Sequence, residues 1–156
     1  MTKISPHFTL EELSRSGTAV KLGINNLPPD GLLPNLRRLC TELEKVRALT
    51  TKPLILHSAY RCPALNAAVG GSPNSYHMKA LAADFDPPPG MTHDALQKAI
   101  AAKGDIVFDL ILEEQAKDGA LWLHFQVPES GKPARRLVRD ATLDKQGGTI
   151  SRISAG

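Results

Sequence analysis

One long amphipathic pattern limits the folds open to this chain more than any other feature. Between residues 32 and 49, apolar residues recur at three- and four-residue steps, which predicts a helix with one buried face. Such a helix must pack its apolar stripe against another element. The rest of the chain supplies short segments divided by Gly and Pro turn signals, so the partner is expected to be a sheet of short strands.

The segments around this helix carry their own start and stop signals. Residues 8–13 form a capping box, in which Thr9 can cap a short helix and Glu12 can bond back to its amide. Further helices are predicted at 63–69 and 92–103, and strands at 54–58, 82–86, 106–113 and 121–127. This order predicts an α+β fold with a mostly antiparallel sheet flanked by helices.

Composition is typical of a single globular domain. The chain has 156 residues, of which 42% are hydrophobic and 22% charged, so we expect one domain over 1–156. Aromatic residues make up only 4%, which argues against a base-stacking nucleic-acid surface, whereas the net charge of +3 would help adsorption to any polyanion. No run of about 18 apolar residues and no signal-peptide pattern is found, so we expect cytoplasmic synthesis without stable membrane association.

Two histidines and one acid carry the chemistry that the sequence offers. Asp84 lies within the apolar strand at 82–86, where a carboxylate is costly unless it is paired, hydrogen-bonded or bound to metal. His77 precedes it by seven residues, and His124 lies in a strand of alternating pattern. Two imidazoles and one carboxylate suffice for a catalytic zinc site, which leaves its fourth position to water. Spacing alone fits a buried acid and a core histidine equally well.

The other histidines and both cysteines have plainer contexts. His7 and His93 lie beside helix starts and are expected at the surface, whereas His57 ends a strand and can line a site or face solvent. Cys40 and Cys62 form no Cys-x-x-Cys pair, and we expect both to be reduced structural thiols. No Gly-x-Ser-x-Gly elbow presents a serine nucleophile.

One continuous run resembles a known family. It begins with Ser-Ala-Tyr-Arg at residue 58, reaches Ser75-x-His77, and continues into Ala-Ala-Asp84. This run is similar to the zinc D-Ala-D-Ala carboxypeptidases, a family that includes vancomycin-resistance dipeptidases and phage endolysins. The family hallmark is Ser-x-His, six residues, Asp, and a later His on a strand, and His124 matches the last element.

The resemblance implies a fold and a cofactor. It covers about residues 6–128 and implies the hedgehog/DD-peptidase fold, with 129–156 as a C-terminal extension of the single domain. It also implies one Zn²⁺ ion, with His77, Asp84 and His124 as its ligands.

The resemblance further implies substrate-binding residues. In the family, an arginine in the Ser-Ala-Tyr-Arg segment holds a substrate carboxylate, which assigns this role to Arg61; a surface arginine is the plainer alternative. Ser75 is expected either to bind substrate or to shape the loop near zinc. Trp122 is expected to line the cleft or to belong to the core.

The catalytic base is open between two glutamates. Many family members carry an acid three residues before the last His, where this chain has Leu121. Similar members instead have an acid ending the preceding strand, which favours Glu113, with Glu114 as the alternative. A four-residue loop at 116–119 places Glu113 on the face of the last ligand, whereas a three-residue loop at 117–119 places Glu114 there.

Together these features predict a zinc peptidase that hydrolyses an amide in the peptidoglycan stem peptide, of the D-Ala-D-Ala carboxypeptidase or endopeptidase type. An L-alanyl-D-glutamate endopeptidase of the same fold and a non-catalytic zinc or wall-binding module are the alternatives. A basic single domain suits a phage or prophage endolysin that acts on the cell wall or in the periplasm after release. We expect a monomer whose partners are stem peptides and not nucleic acid.

Overall fold

Two sheets organise the chain in the computed structural model, which describes residues 1–143 and 149–153. A short ribbon pairs β1 (Lys3–Ser5) with β2 (Phe8–Thr9). The main sheet has six strands: β3 (Ile55–Ser58), β4 (Ala82–Asp86), β5 (Leu110–Gln115), β6 (Leu121–Gln126), β7 (Leu137–Leu143) and β8 (Thr149–Ile153). Their spatial order is β3-β4-β6-β5-β7-β8, and every neighbouring pair is antiparallel except β5 and β7. The expected α+β class with a mostly antiparallel sheet is confirmed.

Each described α-helix except the longest begins at a residue whose side chain caps it. The helices are α1 (Leu10–Ser14), α2 (Gly17–Leu22), α3 (Leu33–Thr50), α4 (Pro63–Ala68) and α5 (His93–Ala102). Thr9 Oγ1 accepts a hydrogen bond of 3.2 Å from the amide of Glu12, and Thr92 Oγ1 accepts one of 3.1 Å from the amide of Ala95. Within the described residues, no helix is long and apolar enough to cross a membrane.

The core lies between one face of the main sheet and the helices α3 and α5. In β4 the alternate residue Phe85 is fully buried, and in β6 Leu123 and Phe125 are buried against the same core. Each large apolar side chain buried in this way contributes about 1.5–3 kcal/mol. Because side chains alternate across a strand, Asp84 and His124 project from the opposite face of the sheet.

Two segments differ from the sequence-based expectation. The strand predicted at 106–113 begins at Leu110, and Ile106 and Phe108 fill the core from irregular backbone. Part of the expected extension forms β7, which joins the main sheet beside β5. Its weak apolar pattern gave no strand signal, because the pairing depends on a distant strand. Residues 144–148 and 154–156 of the extension lie outside the described part of the chain.

Candidate metal centre and active-site cleft

Two adjacent strands place an acid and a histidine side by side. In the antiparallel pair of β4 and β6, Asp84 lies directly opposite His124, so both side chains project from the same face. Asp84 Oδ1 lies 2.9 Å from His124 Nδ1. The two side chains are only 18% and 13% exposed, so water and salt screen their interaction weakly.

A short 3-10 turn, Tyr76–Lys79, brings a second histidine to the same carboxylate oxygen. Ser75 Oγ caps this turn by accepting a hydrogen bond of 3.2 Å from the amide of His77. His77 is buried, and its Nε2 lies 3.2 Å from Asp84 Oδ1. Its other ring nitrogen, Nδ1, lies within hydrogen-bonding distance of the carbonyl oxygen of Ala59, at 2.6 Å.

The partner of Nδ1 determines what His77 offers to Asp84. A carbonyl oxygen only accepts, so Nδ1 donates to Ala59, and Nε2 of the neutral ring keeps its lone pair. That lone pair faces a carboxylate oxygen, and two acceptors this close need a proton or a cation between them. Three possible metal-ligand atoms, one each from His77, Asp84 and His124, lie within 4.8 Å of one another. Two imidazole nitrogens and one carboxylate oxygen are the ligands of an open catalytic zinc site, so the residues fit this ion.

The electrostatics of the three residues also favour positive charge between them. Burial alone would raise the pKa of the Asp84 carboxyl, but the charge of a protonated His77 and the hydrogen bonds that both histidines donate when protonated hold it well below its usual range. For His124, burial is the largest single influence and lowers the pKa, but the hydrogen bond and negative charge of Asp84, with the contributions of Gln126 and Glu114, together raise it. Both shifts follow from a carboxylate that is stabilised by adjacent positive charge.

A comparison with protein-family models bears on this arrangement. The model described as Peptidase M15 matches residues 6–111, which is well over half of the 156-residue chain. The chain belongs to the peptidase M15 family. Peptidases of this family are zinc-dependent, in agreement with the donor set of the cleft. A comparison with curated proteins gave no match.

The M15 match contains only part of the metal centre. His77 and Asp84 fall within residues 6–111, whereas His124 lies beyond them. The pairing of β4 with β6 brings this last residue to Asp84. The structure thus places the three expected ligands together, and their binding of zinc stays a prediction.

The hairpin between β5 and β6 decides which glutamate faces the metal centre. A backbone hydrogen bond of 2.8 Å closes a three-residue loop at 117–119, in which Gly119 adopts a φ of 88°. A glycine in the left-handed region is typical of three-residue hairpins. Glu114 is consequently paired with Trp122, two residues before His124, and lines the cleft.

Glu113 lies on the other face of the sheet. It is paired with Leu123, whose side chain is buried in the core. Burial raises the pKa of Glu113, and the negative charges of Asp140 and Asp94 add to the shift. The preference for Glu113 as the acid beside the metal ligands is therefore wrong, because the loop has three residues and not four. The alternative, Glu114, occupies that place.

Glu114 has an environment suited to proton transfer. Burial raises its pKa above the ordinary value, and the negative charge of Asp84 acts in the same direction. The charges of His124 and Arg61 act in the opposite direction. Glu114 therefore interacts electrostatically both with the metal-binding residues and with the Arg61 cation. A glutamate with a raised pKa exchanges protons more readily near neutral pH than an ordinary one.

Arg61 reaches the same cleft from the segment that follows β3. Its backbone amide donates to the carbonyl of His77 over 3.2 Å, which ties its position to the metal-binding turn. Within the described residues its buried Nε has no hydrogen-bond partner, and its Nη2 makes only a 3.5 Å contact with Ser75 Oγ. Burial lowers the pKa of Arg61, while Asp84 and Glu114 oppose the shift. A partly desolvated guanidinium is well suited to bind a carboxylate through its planar fork.

The loop beside Arg61 leaves no space for a side chain at Gly71. A Cβ atom there would collide with the side chain of Asn66 and lie 3.0 Å from Arg61 Nη1. Asn66 is buried and holds the loop through two hydrogen bonds of 2.9 Å. Its side-chain Nδ2 donates to the backbone carbonyl of Ser72, and its backbone carbonyl accepts from the amide of Gly71. Sequence reasoning missed this contact. Gly70, with a φ of 72°, is sufficient to end α4. The helix end therefore does not explain Gly71, and this second glycine was the sequence signal that pointed to the contact.

The two remaining expected residues also border the cleft, which has a volume of about 660 Å³. Ser75 caps the turn of His77, which agrees with the loop-shaping alternative; binding of substrate by its hydroxyl stays a prediction. Trp122 is partly exposed and lines the cleft, so it is not a core residue. It also borders a neighbouring depression of about 320 Å³ that includes His57 and Asp86.

Proposed function

We propose that this M15 chain is a zinc metallopeptidase that hydrolyses an amide bond in the peptidoglycan stem peptide, of the D-Ala-D-Ala carboxypeptidase or endopeptidase type. One observation carries the proposal: the metal-binding atoms of His77, Asp84 and His124 converge in a cleft that also holds Glu114. An acid beside an open metal site is what amide hydrolysis requires, because the leaving nitrogen must be protonated.

The residues of the cleft have distinct roles in this reaction. When bound, zinc polarises the substrate carbonyl and lowers the pKa of water. Glu114 takes a proton from the attacking water and delivers it to the nitrogen of the leaving amine as the C–N bond breaks. Its raised pKa lets the carboxyl hold that proton until it is delivered, because an ordinary carboxylate holds a proton too weakly near neutral pH.

Arg61 binds a carboxylate of the stem peptide. Within the described residues it forms no ion pair, and its buried Nε lacks a hydrogen-bond partner, so its charge is available to an anionic ligand. A terminal D-Ala carboxylate matches the planar fork of the guanidinium. Trp122 borders the cleft on the Glu114 side and packs against the peptide there.

The test is digestion of purified peptidoglycan with the zinc-loaded chain, with and without a chelator, followed by mass spectrometry of the fragments. We expect new amine ends in the zinc-loaded sample and none after chelation. Release of D-Ala identifies carboxypeptidase activity, cleavage of D-Ala cross-links identifies an endopeptidase, and L-Ala ends identify the L-alanyl-D-glutamate alternative. Zinc binding without any new amine ends contradicts the proposal and leaves a non-catalytic module.

We also infer that the chain acts as a phage or prophage endolysin. The segment at residues 8–13 and the Trp122-Leu-His124 strand resemble those of the small single-domain phage and prophage members of the family, which supports this role. The net charge of +3 favours adsorption to an anionic envelope. Cytoplasmic expression should leave cells intact until the inner membrane is permeabilised, after which turbidity should fall; unchanged turbidity contradicts the lytic role.

A further inference from the structure

Behind His124, a series of polar side chains leads from the metal centre to the C-terminal segment. His124 Nε2 lies 2.8 Å from Gln126 Oε1, and Gln126 Nε2 lies 3.0 Å from Asp109 Oδ2. Arg135 completes the series with two hydrogen bonds to Asp109, from Nε to Oδ1 at 2.9 Å and from Nη2 to Oδ2 at 2.7 Å. Asp109 and Gln126 are 3% and 6% exposed, so their polar atoms must find partners within the protein.

The backbone fixes the position of Asp109 independently of these side chains. Its amide donates to the carbonyl of Gln126 over 2.7 Å, and its carbonyl accepts from the amide of Leu137 over 3.0 Å. Asp109 therefore lies where the start of β5, the end of β6 and the start of β7 meet. A carboxylate anchored to three strands has little freedom to follow a movement of its partners.

The direction of every hydrogen bond in the series follows from Arg135. A guanidinium only donates hydrogen bonds, so the carboxylate of Asp109 accepts them. The hydrogen bonds from Arg135 also lower the pKa of Asp109, although burial acts to raise it, so the ionised form is favoured. An ionised Asp109 in turn accepts from Gln126, so the amide nitrogen of Gln126 must face Asp109 and its oxygen must face His124. That oxygen requires a proton on Nε2 of His124. The neutral ring then has its lone pair on Nδ1, the atom 2.9 Å from Asp84.

We propose that Gln126, Asp109 and Arg135 are positioning residues that hold His124 in its metal-binding tautomer and orientation. This inference rests on the proposed metal site, and it concerns residues that lie outside the M15 match, apart from Asp109. Outer partners of metal-binding histidines fix the ring and raise its basicity, and their loss weakens metal binding by about 10- to 100-fold. The segment after residue 128 therefore contributes to metal affinity, although none of its described residues belongs to the group of three ligands.

The test compares two neighbouring arginines. Arg135→Ala removes the guanidinium that pairs with Asp109. Arg136→Ala instead removes hydrogen bonds to the carbonyls of Ile106 and Ala101 and the stacking of its guanidinium on Phe108. Zinc affinity is measured by competition with a chelator, and the unfolding of the metal-free protein is measured alongside it. We expect about 10- to 100-fold weaker zinc binding for Arg135→Ala and a change within about twofold for Arg136→Ala. Arg135→Lys keeps the charge and should recover part of the loss.

A second measurement reads the tautomer directly. Nitrogen-15 NMR of the His124 ring should show a proton on Nε2 in both the zinc-loaded and the metal-free protein, and in the neutral ring Asp109→Asn should move that proton to Nδ1 in part of the population, because an amide can reverse the direction of the hydrogen bonds. The inference is overturned if Arg135→Ala folds and binds zinc as tightly as the unaltered chain, or if Arg136→Ala weakens binding equally. If Asp109→Asn does not fold, Arg135→Ala decides, since that side chain is 56% exposed. Absence of zinc binding by the unaltered chain would instead contradict the proposed function itself.

Discussion

Strand β4 carries two aspartates, and each lies between two histidines. We name them the inner group and the outer group: Asp84 with His77 and His124, and Asp86 with His57 and His93. The residue types are the same, and in both groups each imidazole lies within hydrogen-bonding distance of the carboxylate. They nevertheless differ in what they can bind.

The difference lies in convergence and in support. In the inner group both imidazoles approach the same oxygen, Asp84 Oδ1, whereas in the outer group His57 approaches Asp86 Oδ2 and His93 approaches Oδ1. The side chain of His77 is 2% exposed and that of His57 is 47% exposed. Among the described residues, the inner group alone brings three such donor atoms within 4.8 Å. Histidine and aspartate therefore make a metal site here through convergence on one atom in a buried setting.

The largest expected effect separates the two aspartates. Asp84→Asn removes a charged ligand and should abolish hydrolysis. Zinc binding should weaken by more than about 100-fold, which exceeds the effect of losing a residue that only hydrogen-bonds to a ligand. Asp86→Asn should retain full zinc content. Zinc is measured by elemental analysis after dialysis, and hydrolysis by release of amine ends. Equal loss of zinc in both variants would show that the two groups act as one site.

A second pair of variants tests the acid beside the inner group. Glu114→Gln keeps the shape but removes the proton carrier, so turnover should fall by about 10²- to 10⁴-fold with zinc content unchanged. Glu113→Gln is the matched control, because its side chain lies on the opposite face of the same strand. Steady-state rates and bound zinc are measured on the same preparations. A reversed ranking of the two variants would contradict the assignment of Glu114.

A third pair of variants tests the packing of the loop at Gly71, which supports Arg61 in the cleft. In Gly71→Ala, the new Cβ displaces Asn66 and Arg61, and kcat/KM should fall by about 10- to 100-fold, chiefly through KM. Gly104→Ala is the control, because a Cβ there meets nothing within 4 Å. Kinetics with a substrate that carries a free terminal carboxylate provide the measurement. Unchanged kinetics in Gly71→Ala would remove Arg61 from the substrate site.

The smallest expected effect concerns the outer group. His57→Ala removes one exposed ion-pair partner, so the free energy of unfolding should change by no more than about 1 kcal/mol. Zinc affinity and turnover should not change. Urea denaturation and chelator competition measure the two quantities. Loss of zinc in this variant would mean that the outer group also binds metal.

Local signals in the sequence were sufficient for most elements. The cap at Thr9 and the apolar spacing of α3 predicted helices that the structure contains, since both depend on neighbours within a few residues. The alternation of β6 correctly placed His124 on a face different from that of Phe125. The parallel strand β7 was missed, because its pairing with β5 depends on contacts far away in the chain.

The candidate site was predictable in its ligands and less so in its surroundings. The choice between Glu113 and Glu114 depended on whether the hairpin loop has three or four residues, and a sequence that permits both cannot decide it. The link from Gln126 to Arg135 depends on where Asp109 lies after folding. One partial signal existed: Gln126 follows His124 by two residues and therefore shares its face of the strand.

The spatial order of the strands has a consequence for when the protein becomes competent during its synthesis. β6 lies between β4 and β5, yet both of these strands leave the ribosome before it. Until β6 emerges, the sheet has a gap at its centre, and the cleft has neither His124 nor Trp122. A nascent or truncated product that ends before residue 121 should therefore be inert, so the candidate metal site is completed only after β6 has been synthesised.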